Sequence, residues 1–68
     1  MSISLKAARI NAELSRPDVI AKLKAEKGLT LTVGTLANYE NKVTQPDMEI
    51  GKALASIYGV SVDEIRFS

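Results

Sequence analysis

Nine residues decide the fold of this chain: Thr32-Val33-Gly34-Thr35-Leu36-Ala37-Asn38-Tyr39-Glu40. Thr32 is a residue that caps helix starts, and the spacing of Leu36 and Tyr39 predicts the side of a helix that faces inward. Two further segments have the residues of helix starts, Pro46-Asp47 and Ser61-Val62-Asp63-Glu64. The pattern predicts one short helix with two supporting helices behind it.

Length and composition limit what the chain can be. Its 68 residues allow one domain, near the lower size at which a hydrophobic core is stable without disulfides or metals. The absence of Cys and His excludes a disulfide framework and a zinc site of the Cys/His type. No apolar run approaches the roughly 20 residues of a membrane span, and the first six residues lack the apolar region of a signal peptide. We expect residues 1–68 to form a single cytoplasmic domain without metal or cofactor.

The charge of the chain is unevenly distributed. The net charge is only +1. Residues 1–27 carry six Lys and Arg against three Asp and Glu, whereas residues 28–68 carry three against five. A basic N-terminal part and an acidic C-terminal part permit contact with nucleic acid through one face of the domain but do not require it.

Helical periodicity and start and stop signals predict five helices, over residues 4–13, 16–26, 33–41, 47–58 and 62–66. Ser15-Arg16-Pro17-Asp18 has a capping serine, an early proline and an acidic residue, and Gly28 is a helix stop. Residues 28–34 alternate Leu, Thr and Val as a strand does, but no second segment pairs with them. We interpret this segment as an extended connector to a helix capped by Thr32. The predicted fold is all-α and compact.

Six segments of the sequence form an ordered set: Leu5-Lys6-Ala7-Ala8-Arg9, Leu14-Ser15-Arg16, Thr35-Leu36-Ala37-Asn38-Tyr39-Glu40-Asn41, Pro46-Asp47, Leu54-Ala55 and Tyr58-Gly59-Val60-Ser61-Val62-Asp63-Glu64-Ile65. Together they resemble the Cro/lambda-repressor-like helix-turn-helix family, also called the XRE family, over nearly the whole chain. The resemblance implies a five-helix lambda-repressor-like DNA-binding domain whose third helix is the recognition helix.

The sequence departs from the family pattern in three places. The segment before the recognition helix is about six residues longer than the tight turn of the usual motif, so we expect a lengthened connection there. Arg16 stands where the family often has Gln. The loop after the recognition helix usually carries Lys or Arg, and here Lys42-Val43-Thr44-Gln45 has one cation.

The resemblance implies which residues contact DNA, because the N-terminal turn of the recognition helix enters the major groove in this fold. Thr and Asn can hydrogen-bond to bases, and Val can pack on a thymine methyl group. The expected base contacts are Thr32, Val33, Thr35 and Asn38. The expected phosphate contacts are the backbone at Gly34 and the side chains of Arg16, Lys24, Lys27 and Lys42. For Lys22, Lys24 and Lys27, a solvated surface charge is an equal alternative.

Other conspicuous residues have structural interpretations. In the family, an Arg and a Glu at the places of Arg9 and Glu40 bridge the first and third helices, so we expect a structural ion pair. Tyr39 and Tyr58 are expected in or beside the core, not as platforms for base stacking. Phe67 follows the last predicted helix and either contacts a second subunit or folds back onto the core.

The residues favour regulation over catalysis. The chain has no nucleophile placed beside a base and no Gly-rich phosphate loop, so we expect no enzymatic activity. The resemblance implies a sequence-specific transcriptional regulator of phage or other mobile-element origin that binds double-stranded operator DNA as a homodimer. A dimer would form through the last two helices and the tail Ile65-Arg66-Phe67-Ser68. The alternative is an antirepressor that keeps the fold but binds a partner repressor protein, which the near-neutral charge and the apolar recognition turn favour.

Overall fold

The computed structural model describes residues 2–67 and places four α-helices between two short strands. In chain order the elements are β1 (Ile3–Ser4), α1 (Leu5–Asn11), α2 (Arg16–Lys27), α3 (Val33–Glu40), α4 (Met48–Tyr58), a turn of 3-10 helix (Val62–Glu64) and β2 (Ile65–Arg66). The Cα radius of gyration of 10.5 Å is close to the roughly 11 Å expected for a folded chain of this length. The prediction of a mostly helical, compact domain is confirmed. Within residues 2–67, no helix has the length and apolar character that a membrane crossing demands.

Each α-helix begins at a side chain that accepts a hydrogen bond from the backbone N–H three residues later. These capping residues are Ser4, Ser15, Thr32 and Asp47. At the start of α2 the bond is reciprocal, because the Ser15 N–H donates to the Asp18 carboxylate over 3.0 Å. The caps at Ser15 and Thr32 lie where the sequence predicts them. Ser4 and Asp47 cap their helices from outside, so α1 and α4 begin one residue later than predicted.

All four helices also end in the same way. In each case a residue in the left-handed conformation follows the helix: Glu13, Gly28, Lys42 and Gly59. The N–H of the next residue then bonds to a carbonyl in the last helical turn, as from Leu14 to Arg9 over 3.3 Å. This geometry suits glycine, which has no Cβ. At Glu13 and Lys42 an L side chain occupies it, at a cost of roughly 1–2 kcal/mol.

The structure corrects the predicted fifth helix over residues 62–66. A capping box at Ser61 does start a turn there, with the Ser61 N–H donating to the Glu64 carboxylate over 3.2 Å. After this single 3-10 turn, Ile65 is extended and buried. It pairs in parallel with Ile3, and Arg66 pairs with Ser4. Burial of Ile65 and pairing with the N-terminal segment therefore replace the continuation of the helix.

The core lies where the four helices meet. Its most completely buried side chains are Val19, Leu23, Leu36 and Leu54. The spacing of Ile50, Leu54 and Ile57 predicts the buried side of α4; Leu54 is completely buried, but Ile50 and Ile57 are half-buried, and Gly51, Ala55 and Tyr58 are buried instead. Phe67 folds back over Gly51, since a Cβ at that glycine would lie 3.3 Å from the Phe67 ring. Of the two alternatives for Phe67, contact with the protein's own core is the one observed.

The connection between α2 and α3 is an extended segment over residues 28–32. Gly28 turns the chain in the left-handed conformation, and the Leu29 N–H bonds to the Leu23 carbonyl over 3.2 Å. Leu29 and Leu31 are half-buried against the core, while Thr30 between them is exposed. The connector therefore packs on the core through Leu29 and Leu31, and Thr32 follows at the start of α3.

The left-handed helix stops give a matched pair of stability predictions. Gly59→Ala should lower the free energy of unfolding by about 1 kcal/mol or more, because a Cβ there meets nothing within 4 Å and the cost is backbone strain alone. Glu13→Gly should raise it, because it relieves the same strain in an exposed residue. Urea denaturation measures both changes. Equal stability of Glu13→Gly and the wild type would contradict the strain at Glu13.

Candidate nucleic-acid interface

The helix α3 presents one side to the core and the other to solvent. Leu36 is completely buried and Tyr39 is half-buried. Four residues of α3 and its cap make up the exposed side, namely Thr32, Val33, Gly34 and Asn38, and we call this set the α3 face. Because they lie at the N-terminal turn and one turn further on, they form a continuous surface.

Thr32 and Thr35 form a hydroxyl pair at the start of the α3 face. The Thr32 hydroxyl accepts from the Thr35 N–H over 3.1 Å, and the two hydroxyl oxygens lie 2.9 Å apart. Whichever hydroxyl donates across the pair, one hydroxyl hydrogen remains free to donate outward. The pair therefore offers a single hydroxyl donor to an approaching molecule, from exposed Thr32 or half-buried Thr35.

Asn38 is the polar side chain in the middle of the α3 face. Its backbone carbonyl accepts from Val43 over 2.9 Å, but within residues 2–67 its side-chain amide makes no hydrogen bond. Helical side chains lean toward the preceding turn, and there the chain has Gly34. A Cβ at Gly34 would meet only the Thr32 hydroxyl, at 4.0 Å. The surface beside the Asn38 amide is therefore open.

The Glu40 carboxylate at the end of α3 is the electrostatic centre of the domain. Its side chain is completely buried and accepts from two guanidinium groups. Arg9 of α1 donates from Nε over 2.7 Å and from Nη2 over 3.3 Å. Arg16 of α2 donates from Nε over 3.0 Å and from Nη2 over 2.9 Å. One carboxylate thus joins three helices.

Hydrogen bonds within the protein, and not solvent, stabilise the buried charge of Glu40. A carboxylate at a helix C-terminus opposes the helix dipole, and burial adds a desolvation cost. Two bound guanidinium groups offset both. The hydrogen bond to Glu40 raises the pKa of Arg9 against the lowering effect of burial, so the cation stays charged. Arg9 also donates from Nη1 to the Leu14 carbonyl over 2.9 Å, which ties the loop after α1 to the same group.

Arg16 has a role that the sequence did not predict. It was expected to contact phosphate, and the structure shows it bound to Glu40 through Nε and Nη2. Its side chain remains 31% exposed, against 11% for Arg9. The Nη1 group does not donate to Glu40, so a second, outward contact is geometrically compatible with the ion pair. Because the family often has Gln at the position of Arg16, the resemblance did not indicate that Arg16 pairs with Glu40.

The three candidate lysines lie in different surroundings. Lys24 follows Arg16 at two successive four-residue steps on α2, so both lie on the same side of that helix. Lys42 follows the C-cap residue of α3, Asn41. Lys27, in contrast, borders a cleft of about 270 Å³ together with Leu29, Glu49, Lys52 and Ala53. The structure therefore places Lys27 beside α4, at the end of α2 and one turn beyond Lys24.

The loop after α3 is held against that helix. Lys42 has a φ of 62°, and its N–H bonds to the Tyr39 carbonyl over 3.2 Å. This turn leaves Val43 69% exposed. Sequence reasoning did not single out Val43, whose exposure results from the left-handed stop at Lys42. The loop adds one cation and one apolar side chain beside the α3 face.

The comparisons with known proteins identify the class of the domain. The family model described as Helix-turn-helix matches residues 5–65, which include all four α-helices. Neither the search of curated proteins nor that of solved structures gave a significant match. The chain belongs to the XRE-type helix-turn-helix family, whose domains bind DNA and regulate transcription.

The ion-pair network predicts a large effect of Glu40→Gln. A neutral amide would leave two guanidinium groups without their anion, and loss of one partner of a buried pair costs roughly 3 kcal/mol or more. Much of the stability of a domain this small would be lost. Thermal and urea unfolding followed by circular dichroism measure it. Arg16→Ala is the control, with a smaller loss expected because Arg16 is more exposed; equal stability of Glu40→Gln and the wild type would contradict the role of the network.

Because the Tyr58 hydroxyl is buried, we expect the protein to lose stability at alkaline pH. This hydroxyl is buried without a hydrogen-bond partner within residues 2–67. Burial, aided by the Glu40 carboxylate, raises the pKa of Tyr58 well above its ordinary value. The unfolded chain releases this proton near pH 10 while the folded state retains it, so the free energy of unfolding should fall by about 1.4 kcal/mol per pH unit above that point.

The variant Tyr58→Phe isolates this contribution. It should be at least as stable as the wild type at pH 7, because it removes an unpaired buried hydroxyl. Its advantage should then grow as the pH rises above about 10, in urea titrations made at each pH. A constant difference between the two proteins from pH 7 to pH 11 would contradict the assignment.

Proposed function

We propose that this protein is a transcriptional regulator that binds operator DNA sequence-specifically, with the α3 face in the major groove. The observation that carries the proposal is the open α3 face itself. Among residues 2–67 it combines an Asn38 amide without a hydrogen-bond partner, a free hydroxyl hydrogen at Thr32 or Thr35, and a glycine whose missing Cβ would meet only the Thr32 hydroxyl. These are the groups that contact base edges.

Gly34 supports a close approach of another molecule. Glycine within a helix costs about 1 kcal/mol relative to alanine, and the space around Gly34 would accept a methyl group. The domain therefore carries a cost that its own packing does not explain. A DNA backbone or base edge lying against α3 would explain it, and the N–H groups of the first helical turn are placed to bind a phosphate.

Cations near α3 supply the contacts to phosphate. We assign them to Arg16, through its free Nη1, to Lys24 and to Lys42; Lys27 faces α4 and is the weakest candidate. Each neutralised phosphate contributes about 0.9 to the slope of log K against log salt concentration. Three contacts per monomer give weak binding, so we propose that two subunits bind a palindromic site.

For the dimer contact we propose the side of the domain formed by α4 and the 3-10 turn. Met48 at the start of α4 is 70% exposed, beside a cavity of about 180 Å³ bordered by Gly51, Val62 and Phe67. Phe67 itself is engaged with Gly51, so it contributes the floor of this surface. Ser68, the last residue of the expected contact, lies outside the described residues.

A second candidate function is that of an antirepressor that binds a partner repressor through the same surface. The exposed Val33 and Val43, at 41% and 69%, favour it, because apolar side chains flanking an uncharged helix suit a protein interface. Salt separates the two functions. Binding through phosphates weakens steeply with salt, whereas burial of apolar surface does not.

Selection from a pool of random-sequence duplexes tests the proposed function. After rounds at low and moderate salt, we expect a palindromic motif. Asn38→Ala should broaden that motif without loss of stability, because it removes a base contact from an exposed position. Gly34→Ala should stabilise the fold by up to about 1 kcal/mol and yet weaken binding to the selected duplex.

Two controls make this experiment decisive. Arg16→Ala should weaken binding to all sequences alike and lower the salt slope by about one. Lys6→Ala removes an exposed cation of α1 that belongs neither to the α3 face nor to the proposed dimer contact, so it should change neither motif nor affinity. Failure of the folded wild-type protein to enrich any sequence would contradict DNA recognition and favour the antirepressor. Unchanged affinity of Gly34→Ala would contradict the close approach at α3.

A further inference from the structure

The α3 face carries no charge. Between Thr32 and Asn41 the single ionisable group besides the Tyr39 phenol is Glu40, whose carboxylate is buried and bound by two guanidinium groups. The α3 face therefore neither attracts nor repels DNA by itself. Discrimination between base pairs must come from shape, apolar contact and neutral hydrogen bonds.

Val33 is the apolar group on this face. It occupies the first position of α3 and is 41% exposed. Gly34 beside it presents no side chain, so the Val33 methyl groups stand out from the surface. In the major groove, the apolar group of a base pair is the C5 methyl of thymine. Val33 is suited to that methyl and to no other feature of a base edge.

Asn38 is the polar complement on the same face. A carboxamide donates one hydrogen bond and accepts another side by side, which matches N7 and the N6 amino group of adenine. Within residues 2–67 no other group engages this amide, and the open surface at Gly34 leaves it free to turn. Adenine pairs with thymine, so both side chains favour the same type of base pair, A·T.

Guanine has no cationic partner on α3. It is contacted most often by Arg or Lys, which donate to O6 and N7. Arg16 of α2 is held by Glu40 at the C-terminal end of α3, whereas Val33 and Gly34 lie in its N-terminal turn. Lys42 follows the C-terminus of α3 and is positioned in the loop.

We propose, on the basis of the proposed function, that the operator half-site is rich in A·T pairs and that Val33 recognises it through the C5 methyl of thymine. Asn38 recognises the adenine of the same or the adjacent pair. The affinity then depends on a methyl group that uracil lacks, although uracil pairs in the same way as thymine. Burial of one such carbon against Val33 is worth about a four-fold change in affinity.

Replacement of thymine by uracil, one position at a time, tests this proposal in the duplex recovered from the random pool. Fluorescence anisotropy with the full chain should show about four-fold weaker binding at one or two thymines of each half-site. Val33→Ala should weaken binding to the thymine duplex by a similar factor and show no further loss with uracil at those positions. Val43→Ala is the matched control, since it removes an exposed valine outside α3 and should keep the full sensitivity to uracil.

Each outcome is decisive. Uracil replacement without effect, or a recovered motif made of invariant G·C pairs, would overturn the inference while leaving DNA binding intact. A uracil effect that persists in Val33→Ala would overturn the assignment to Val33. Absence of any bound duplex, with circular dichroism showing a folded protein, would overturn the proposed function and the inference together. A loss at specific thymines that disappears in Val33→Ala alone supports both.

Discussion

The buried carboxylate of Glu40 is the constraint on which the rest of the domain depends. Its four hydrogen bonds from Arg9 and Arg16 fix the angle of α3 against α1 and α2. A small core centred on Leu36 and Leu54 excludes water but has little directional preference, whereas guanidinium groups bind a carboxylate in defined geometry. The C-terminal end of α3 is thereby anchored, and its N-terminal turn is left facing solvent.

The ion pairs of Glu40 separate the charges that stabilise the fold from the surface that α3 offers to a partner. The charges that fix the fold are paired inside the molecule, and the helix offered to a partner is uncharged on its exposed side. Affinity for a polyanion would then come from cations on neighbouring elements, such as Lys24 and Lys42, while discrimination would come from Val33 and Asn38. The small net charge of +1, from nine Lys and Arg against eight Asp and Glu, agrees with this division, because the domain as a whole attracts a polyanion only weakly.

Much of the architecture could be predicted from the sequence, because capping residues and apolar spacing are local signals. Ser15 and Thr32 begin helices where expected, and Leu23 and Leu36 are buried. The parts that could not be predicted depend on long-range contacts. Ile65 leaves the last helical turn to pair with Ile3, and Phe67 folds back to cover Gly51 of α4. At the site, the engagement of Arg16 with Glu40 depends on how two helices cross, which no local pattern encodes.

The most direct test of the account is to map where DNA touches the domain. Titration of the ¹⁵N-labelled protein with a duplex recovered from the random pool, followed by amide chemical shifts, provides this map. The account predicts that the largest changes fall on Thr32 to Asn38, with smaller changes at Lys42 and Val43. Largest changes on α4 and the 3-10 turn, with α3 unaffected, would contradict DNA recognition through α3.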